Sequence, residues 1–194
     1  MGRGPFAGPV SVCVVSCSIQ NYSKLKKLKT LPKAGLDSKK LKSNERENYS
    51  RELKLLAKEN KLFFSINHIS NKIIDSKGLT FSINKAMQQG INKLKLSNKD
   101  STILLDGGLR APKEFLNQKT IIKGDEKEKI IAWASILAKV SRDAIISKFS
   151  KNYPNYGFES HKGYGTLKHR KAILKYGPSP IHRLTFCKNI DFSK

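Results

Sequence analysis

The stretch from residue 126 to 150 constrains the fold more than any other. Its apolar residues Ile130, Trp133, Ala134, Leu137, Val140 and Ala144 recur at spacings of three and four. That periodicity predicts one long helix over 126–150, with its stripe packed on a sheet. Asp143 lies roughly 120° from the centre of the stripe at about 100° per residue, so its carboxylate is expected to face a cleft. Beyond the helix comes His161–Lys162–Gly163–Tyr164–Gly165–Thr166, a loop in which glycines flank an aromatic ring. Such a loop holds one ring and two basic side chains in one place.

The remaining elements are shorter. Residues 10–19 read as a buried strand, rich in Val, Ser and Cys. Residues 21–31 are Lys-rich, end at Pro32 and read as a solvated loop or an extended hairpin. A helix with Ser43 as N-cap and a body over 46–59 comes next. A strand over 62–67 follows, then a short broken segment over 69–77 and a helix over 80–94. The strand over 101–105 stops at Asp106–Gly107–Gly108, a strand at 121–122 exits through Lys123–Gly124–Asp125, and the last short helix covers 168–175. A carboxylate at the C-terminal end of a buried strand is where open α/β sheets place their ligand chemistry. The pattern predicts an α/β fold: a mixed sheet flanked by helices, with a helical C-terminal part. No repeat or low-complexity linker divides residues 1–194, so one domain is expected.

Charge narrows the partners. Lys and Arg number 38 against 15 Asp and Glu, a formal net charge of +23. That excess favours a polyanion, with nucleic acid ahead of an anionic membrane surface. Lys, Asn, Ile and Ser are abundant throughout, as an AT-rich coding bias also produces, so part of the excess carries no function. The apolar run over 10–19 is too short to span a membrane, and Gly4–Pro5 does not suit a signal peptide. Phe6 stands where a myristoylation motif needs Ser or Thr. Cys13, Cys17 and Cys187 form no zinc pattern and are expected to be reduced, structural thiols of a cytoplasmic protein.

An isolated acid is usually a solvated charge or a cap. Asp106 and Asp143, however, each close a distinctive run: Ile103–Leu104–Leu105–Asp106–Gly107 and Ala134–Ser135–Ile136–Leu137–Ala138–Lys139–Val140–Ser141–Arg142–Asp143. With Gly2–Arg3–Gly4–Pro5, Asp37–Ser38–Lys39–Lys40–Leu41, His161 through Thr166 and Tyr176–Gly177–Pro178–Ser179–Pro180–Ile181–His182–Arg183, they resemble ribonuclease HII over nearly the whole chain. The resemblance implies a ribonuclease-H-like fold and an endonuclease acting on RNA–DNA hybrids and on duplex DNA containing ribonucleotides. It implies two divalent ions, Mn2+ or Mg2+, held by four carboxylates, of which Asp106 and Asp143 would be two. Both are expected to converge on one cleft. Hard cations take oxygen ligands, which suits these acids. Gly2, Arg3 and Gly4 would read the ribose 2′-hydroxyl, the group that distinguishes RNA from DNA. Tyr164 would stack on the adjoining sugar, and Lys39 would contact a backbone phosphate. Lys123 and Asp125 would line the cleft, although Asp125 also suits a helix N-terminus. His182 is expected to pack or to meet phosphate rather than to catalyse. A monomer is expected.

The resemblance has gaps. In the family an Asp-Glu pair at a strand end precedes the Gly-Arg-Gly motif, and this sequence starts at Met1 in place of the residue after that pair. The strand over 10–19 is thereby expected to lose a neighbour. Gly78 replaces a customary asparagine, and the excursion over 24–33 is longer than usual. Three readings stay open: an endonuclease written from an internal methionine, a junction-binding protein or decayed gene product without catalysis, and an unrelated basic or ribosome-associated protein.

Overall fold

The computed structural model describes residues 1–32, 41–188 and 190. Lys39 therefore lies outside the described residues. Strand β1 (Val10–Ser16) pairs with β2 (Phe63–Ile69), and β3 (Ile103–Asp106) pairs with β4 (Gln118–Ile121). The second pair is parallel, with Asp106 opposite Ile121. Helices follow the strands: α1 (Ile19–Leu25), α2 (Ser43–Lys58), α3 (Asn71–Lys77), α4 (Leu79–Lys93), α5 (Gly124–Lys127), α6 (Lys129–Asn152), α7 (Phe158–His161), α8 (Leu167–Tyr176) and α9 (Leu184–Cys187). The fold is α/β, as the pattern of elements predicts. No described helix is long and apolar enough to cross a membrane.

Several boundaries differ from the sequence reading. The Lys-rich segment after β1 opens as a helix, because the Ser18 hydroxyl accepts from Asn21 N–H at 3.1 Å and caps α1. That helix buries Leu25, and Tyr22 packs edge-on against Trp133 at 5.8 Å. Ser43 is the first residue of α2 rather than its cap. Lys42 holds the cap position, and its N–H donates to the Glu45 carboxylate at 2.8 Å. Residues 71–77 form a regular helix stopped by Gly78 at φ +84°. Strand β4 ends at Ile121, and Lys123 adopts φ +55° to start the single turn of α5.

Helix α6 is also turned relative to the expected stripe. Ile131, Ala132, Trp133, Ile136, Leu137 and Ala138 are buried, so the first half is covered on more than one side. Further on, the buried positions are Arg142, Ile146 and Ser150, each four residues apart, and Ala144 is exposed. An arginine occupies a core position, which apolar periodicity is unable to register.

The chain divides into two compact units: Met1–Ser11 with His68–Ile83 and Ser141–Lys194, and Val12–Asn67 with Asn84–Val140. In the second, Leu25, Leu31, Leu53, Leu62, Trp133 and Leu137 form one core cluster, with Cys13 and Cys17 packed against it. Met87, Ile91, Leu105, Ala111 and Phe115 form another, over which β3 lies. Burial pushes the thiols of Cys13 and Cys17 upward and that of Cys187 up to about 11, so all three are protonated and inert at neutral pH.

The core of the first unit is aromatic and unusually rich in histidine. Ala7, Ile146, Tyr156, Phe158, Ile173 and Ile181 surround buried His161, His169 and His182. Partners fix the tautomers. Ser179 N–H donates to His182 Nδ1 at 2.8 Å, which leaves His182 Nε2–H to donate to His169 Nε2 at 3.0 Å. His169 then carries its proton on Nδ1 and donates to the Tyr164 carbonyl at 2.9 Å. His161 donates from Nε2 to the Tyr156 carbonyl at 2.7 Å and accepts from Gly163 N–H at 3.2 Å. His182 is thus a buried core residue, 1% exposed.

All three rings are neutral. Burial lowers the His161 value and brings His169 and His182 down to about 4 each. The unfolded chain titrates near 6.5, so it binds more protons than the folded one between pH 6.5 and 4. Stability from this cluster is complete above pH 6.5 and is lost as pH falls toward 4. Either ring with a value near 4 contributes on the order of 3 kcal/mol to that loss. Urea unfolding at pH 7.5 and 4.5 should show a markedly lower midpoint in acid, and His169→Asn should flatten the difference. Equal midpoints would contradict the neutral assignment.

Candidate nucleic-acid interface and acidic positions

In the first unit, the N-terminal segment is tied down by its backbone. Phe6 N–H donates to Gly163 O at 2.8 Å, Gly8 N–H to Ile181 O at 2.9 Å, and Arg183 N–H to Phe6 O at 2.7 Å. Ala7 and His182 form an isolated antiparallel bridge. These bonds join residues far apart in sequence, so the segment is part of the core rather than a flexible tail.

Two buried arginines complete the arrangement. Arg142 donates from Nε to Pro9 O, from Nη1 to Lys162 O and from Nη2 to Ala7 O, each at 3.0 Å. Arg183 donates from Nε to Gly8 O at 2.9 Å and from Nη1 to Arg3 O at 3.3 Å. Burial lowers the Arg142 value, and burial followed by the Arg142 charge brings Arg183 down to about 9. Both stay charged at neutral pH. Sequence reading passed over both; the available signal was an arginine set four residues from Ala138 and from Ile146 in an otherwise apolar register.

Of the expected substrate-reading residues, Gly2, Arg3 and Tyr164 stand beside this pair. Gly2 and Pro5 are buried, while Arg3 and Gly4 between them are exposed, so the turn presents those two outward. Gly2 has φ +79°, and a Cβ there would stand 2.3 Å from Arg142 Nε. Tyr164 is 39% exposed, and its ring centroid is 5.9 Å from Arg142 Cζ. The loop carrying Tyr164 depends on Gly163, where a Cβ would come within 2.8 Å of Ala7 O. Asp143 is half-buried on α6 in the same unit, and its charge supports that of Arg142.

Asp106 belongs to the second unit, at the C-terminal end of β3. Its Oδ1 accepts from Gly124 N–H at 3.0 Å, and Gly107 N–H donates to Ile121 O at 2.9 Å. The ends of the two parallel strands are therefore stitched together, which puts the Lys123–Asp125 turn beside Asp106. Asp125 is half-buried in the first turn of α5. Lys123 is exposed and stands 4.0 Å from Glu126, a surface pair that adds little stability.

Carboxylate oxygens are the right donors for Mg2+ or Mn2+. Among the described residues, however, no three His, Cys, Asp or Glu side chains stand together to hold an ion. The donor chemistry fits and the number of ligands falls short.

Residues 1–189 match the family model for Ribonuclease HII. A ribonuclease HII of Clostridium tetani is 39% identical over 97% of this chain, which spans 66% of its length. The Caldicellulosiruptor bescii ribonuclease HII is 41% identical over 97% of this chain, with 84% of that protein covered. Among solved structures, the ribonuclease HII of Archaeoglobus fulgidus in complex with PCNA has a TM-score of 0.71 at 22% identity, covering 100% of this chain and 94% of that one. The ribonuclease H2 of Pyrococcus horikoshii OT3 gives 0.69 at 24% identity, covering 97% and 96%. At those identities the structures speak for the fold alone. The match across nearly every residue, together with close relatives of the same description, makes the chain a member of the ribonuclease HII family.

Proposed function

We propose that the chain is a metal-dependent endonuclease that hydrolyses the RNA strand of RNA–DNA hybrids and cuts 5′ of ribonucleotides embedded in duplex DNA. A water oxygen bonds to phosphorus as the bond to the 3′-oxygen breaks, and the products carry 5′-phosphate and 3′-hydroxyl ends. What carries this reading is the exposed Arg3–Gly4 turn set over Arg142 with Tyr164, in a chain that aligns with its relatives over 97% of its length. Gly2, Arg3 and Gly4 face the ribose, and Tyr164 stacks on the neighbouring sugar. Lys39 meets phosphate, and Lys123 lines the approach.

Asp106 is the first proposed ligand to Mn2+ or Mg2+. For a second, Asp143 is favoured by its sequence run. Asp125 is favoured by its place next to Gly124, whose N–H donates to Asp106. When bound, such an ion neutralises phosphate charge and acidifies a water. A different reading, junction binding without cleavage, draws support from the absence of a three-ligand cluster among the described residues.

One assay separates the two. A labelled duplex with a single ribonucleotide is incubated with the protein and Mg2+, Mn2+ or chelator. Cleavage that chelator abolishes is expected, and Asp106→Asn should slow it at least a hundredfold, about 2.7 kcal/mol. Between Asp125→Asn and Asp143→Asn, the variant with the larger loss identifies the second ligand. Undiminished cleavage by Asp106→Asn would overturn the assignment, and ribonucleotide-selective binding with no cleavage in any metal would favour the second reading.

Tyr164→Ala should reduce cleavage at the embedded ribonucleotide about tenfold or more, while affinity for an all-DNA duplex changes less than about twofold. Equal losses in both measurements would remove the ring from junction recognition.

A further inference from the structure

We propose that Arg142 and Arg183 are positioning residues for the ribonucleotide-reading turn, acting by holding the carbonyls of Arg3, Ala7, Gly8 and Pro9 inward. The inference rests on the junction-reading role of that turn. The carbonyls of Arg3, Ala7, Gly8 and Pro9 all point to the two guanidinium groups. A peptide plane whose carbonyl faces one way turns its N–H the other way. With the carbonyls anchored inside, the turn at Arg3 and Gly4 is exposed between two buried neighbours.

Two further observations tie the arginines to recognition rather than to packing alone. Gly2 lies against Arg142 so closely that a Cβ would stand 2.3 Å from its Nε, so turn and guanidinium are fitted to one another. The same guanidinium bonds Lys162 O at 3.0 Å and lies 5.9 Å from the Tyr164 ring centroid. One planar cation therefore sets the spacing between the ring and the turn, the two parts that would grip successive sugars. A lysine keeps the charge, yet its single ammonium lacks the fork that reaches Ala7, Pro9 and Lys162 together. Burying like charges side by side is an expensive way to fill space. It is a sound way to fix the direction of four carbonyls.

The test measures binding to two duplexes of one sequence, one all DNA and one with a single ribonucleotide, by fluorescence anisotropy in chelator. The readout is the ratio of the two affinities for the parent chain, Arg142→Lys, Arg142→Ala and Arg183→Lys. Circular dichroism and thermal melting accompany each. We expect both lysine variants to stay folded, to bind the all-DNA duplex within twofold of the parent, and to lose at least fivefold in the ratio. Hydrogen exchange of a peptide covering residues 2–6 should speed up in both. If Arg142→Ala does not fold, the lysine variants still decide. A parent chain with no preference for the ribonucleotide removes the junction reading and this role with it. A parent with a preference that both lysine variants retain overturns the positioning role alone. A ratio unchanged while both affinities fall with the melting temperature assigns the arginines to stability only, and likewise overturns it.

Discussion

Two guanidinium groups buried against backbone carbonyls organise the first unit. Removing an arginine from water costs several kcal/mol, and two of them near one another repel. Five hydrogen bonds to carbonyl oxygens offset that. Charge-assisted bonds contribute about 1.5–3 kcal/mol each, roughly twice a neutral bond, so the balance stays narrow and every bond matters. Deleting one arginine would also strand buried carbonyls, which makes the arrangement close to all-or-none. The N-terminal segment, the loop at 161–166 and the α6 turn around Arg142 are thereby defined together.

The second unit fixes its acidic position by a different means. A four-residue parallel pair, β3 with β4, ends in register at Asp106 and Ile121. The left-handed Lys123 then reverses the chain so that Gly124 N–H reaches the Asp106 carboxylate. That bond orients Asp106 with backbone alone, so the position depends on strand register and on one αL residue. Leu105, buried in the cluster of Met87 and Phe115, anchors the register from the other face of the strand.

Legibility in the sequence followed the same division. The strands expected over 10–19 and 101–105 and the helix expected over 80–94 appear as Val10–Ser16, Ile103–Asp106 and Leu79–Lys93, because burial repeats with the period of the backbone. The helix after Ser18 did not, since Gln20, Asn21, Ser23 and Lys24 outweigh the single cap and the Leu25 anchor in any local count. The strand expected at 121–122 lies instead over Gln118–Ile121, whose polar residues carry no apolar signal, and Ile122 is 75% exposed beyond it. Motif identity marked Gly2, Arg3, Gly4 and Tyr164 as a group. It gave no hint that Arg142 and Arg183 lie beneath, because an arginine beside an aspartate reads as surface charge until its carbonyl partners are known.

The loop carrying Tyr164 shows why histidine and arginine occupy one core. Tyr164 O accepts from His169 Nδ1 at 2.9 Å and from Thr166 N–H at 2.9 Å, while Lys162 O accepts from Arg142 at 3.0 Å. Neutral imidazole is suited to this place. Arg142 and Arg183 already carry two positive charges, and burying a third in the same interior would add to their repulsion. Imidazole supplies a directional donor and an acceptor without that charge, and the chain from Ser179 through His182 and His169 transmits one proton orientation to the loop. The cations orient the backbone and the neutral rings extend that order to Tyr164. Exchanging the two kinds of group would leave either the carbonyls underbound or the core overcharged.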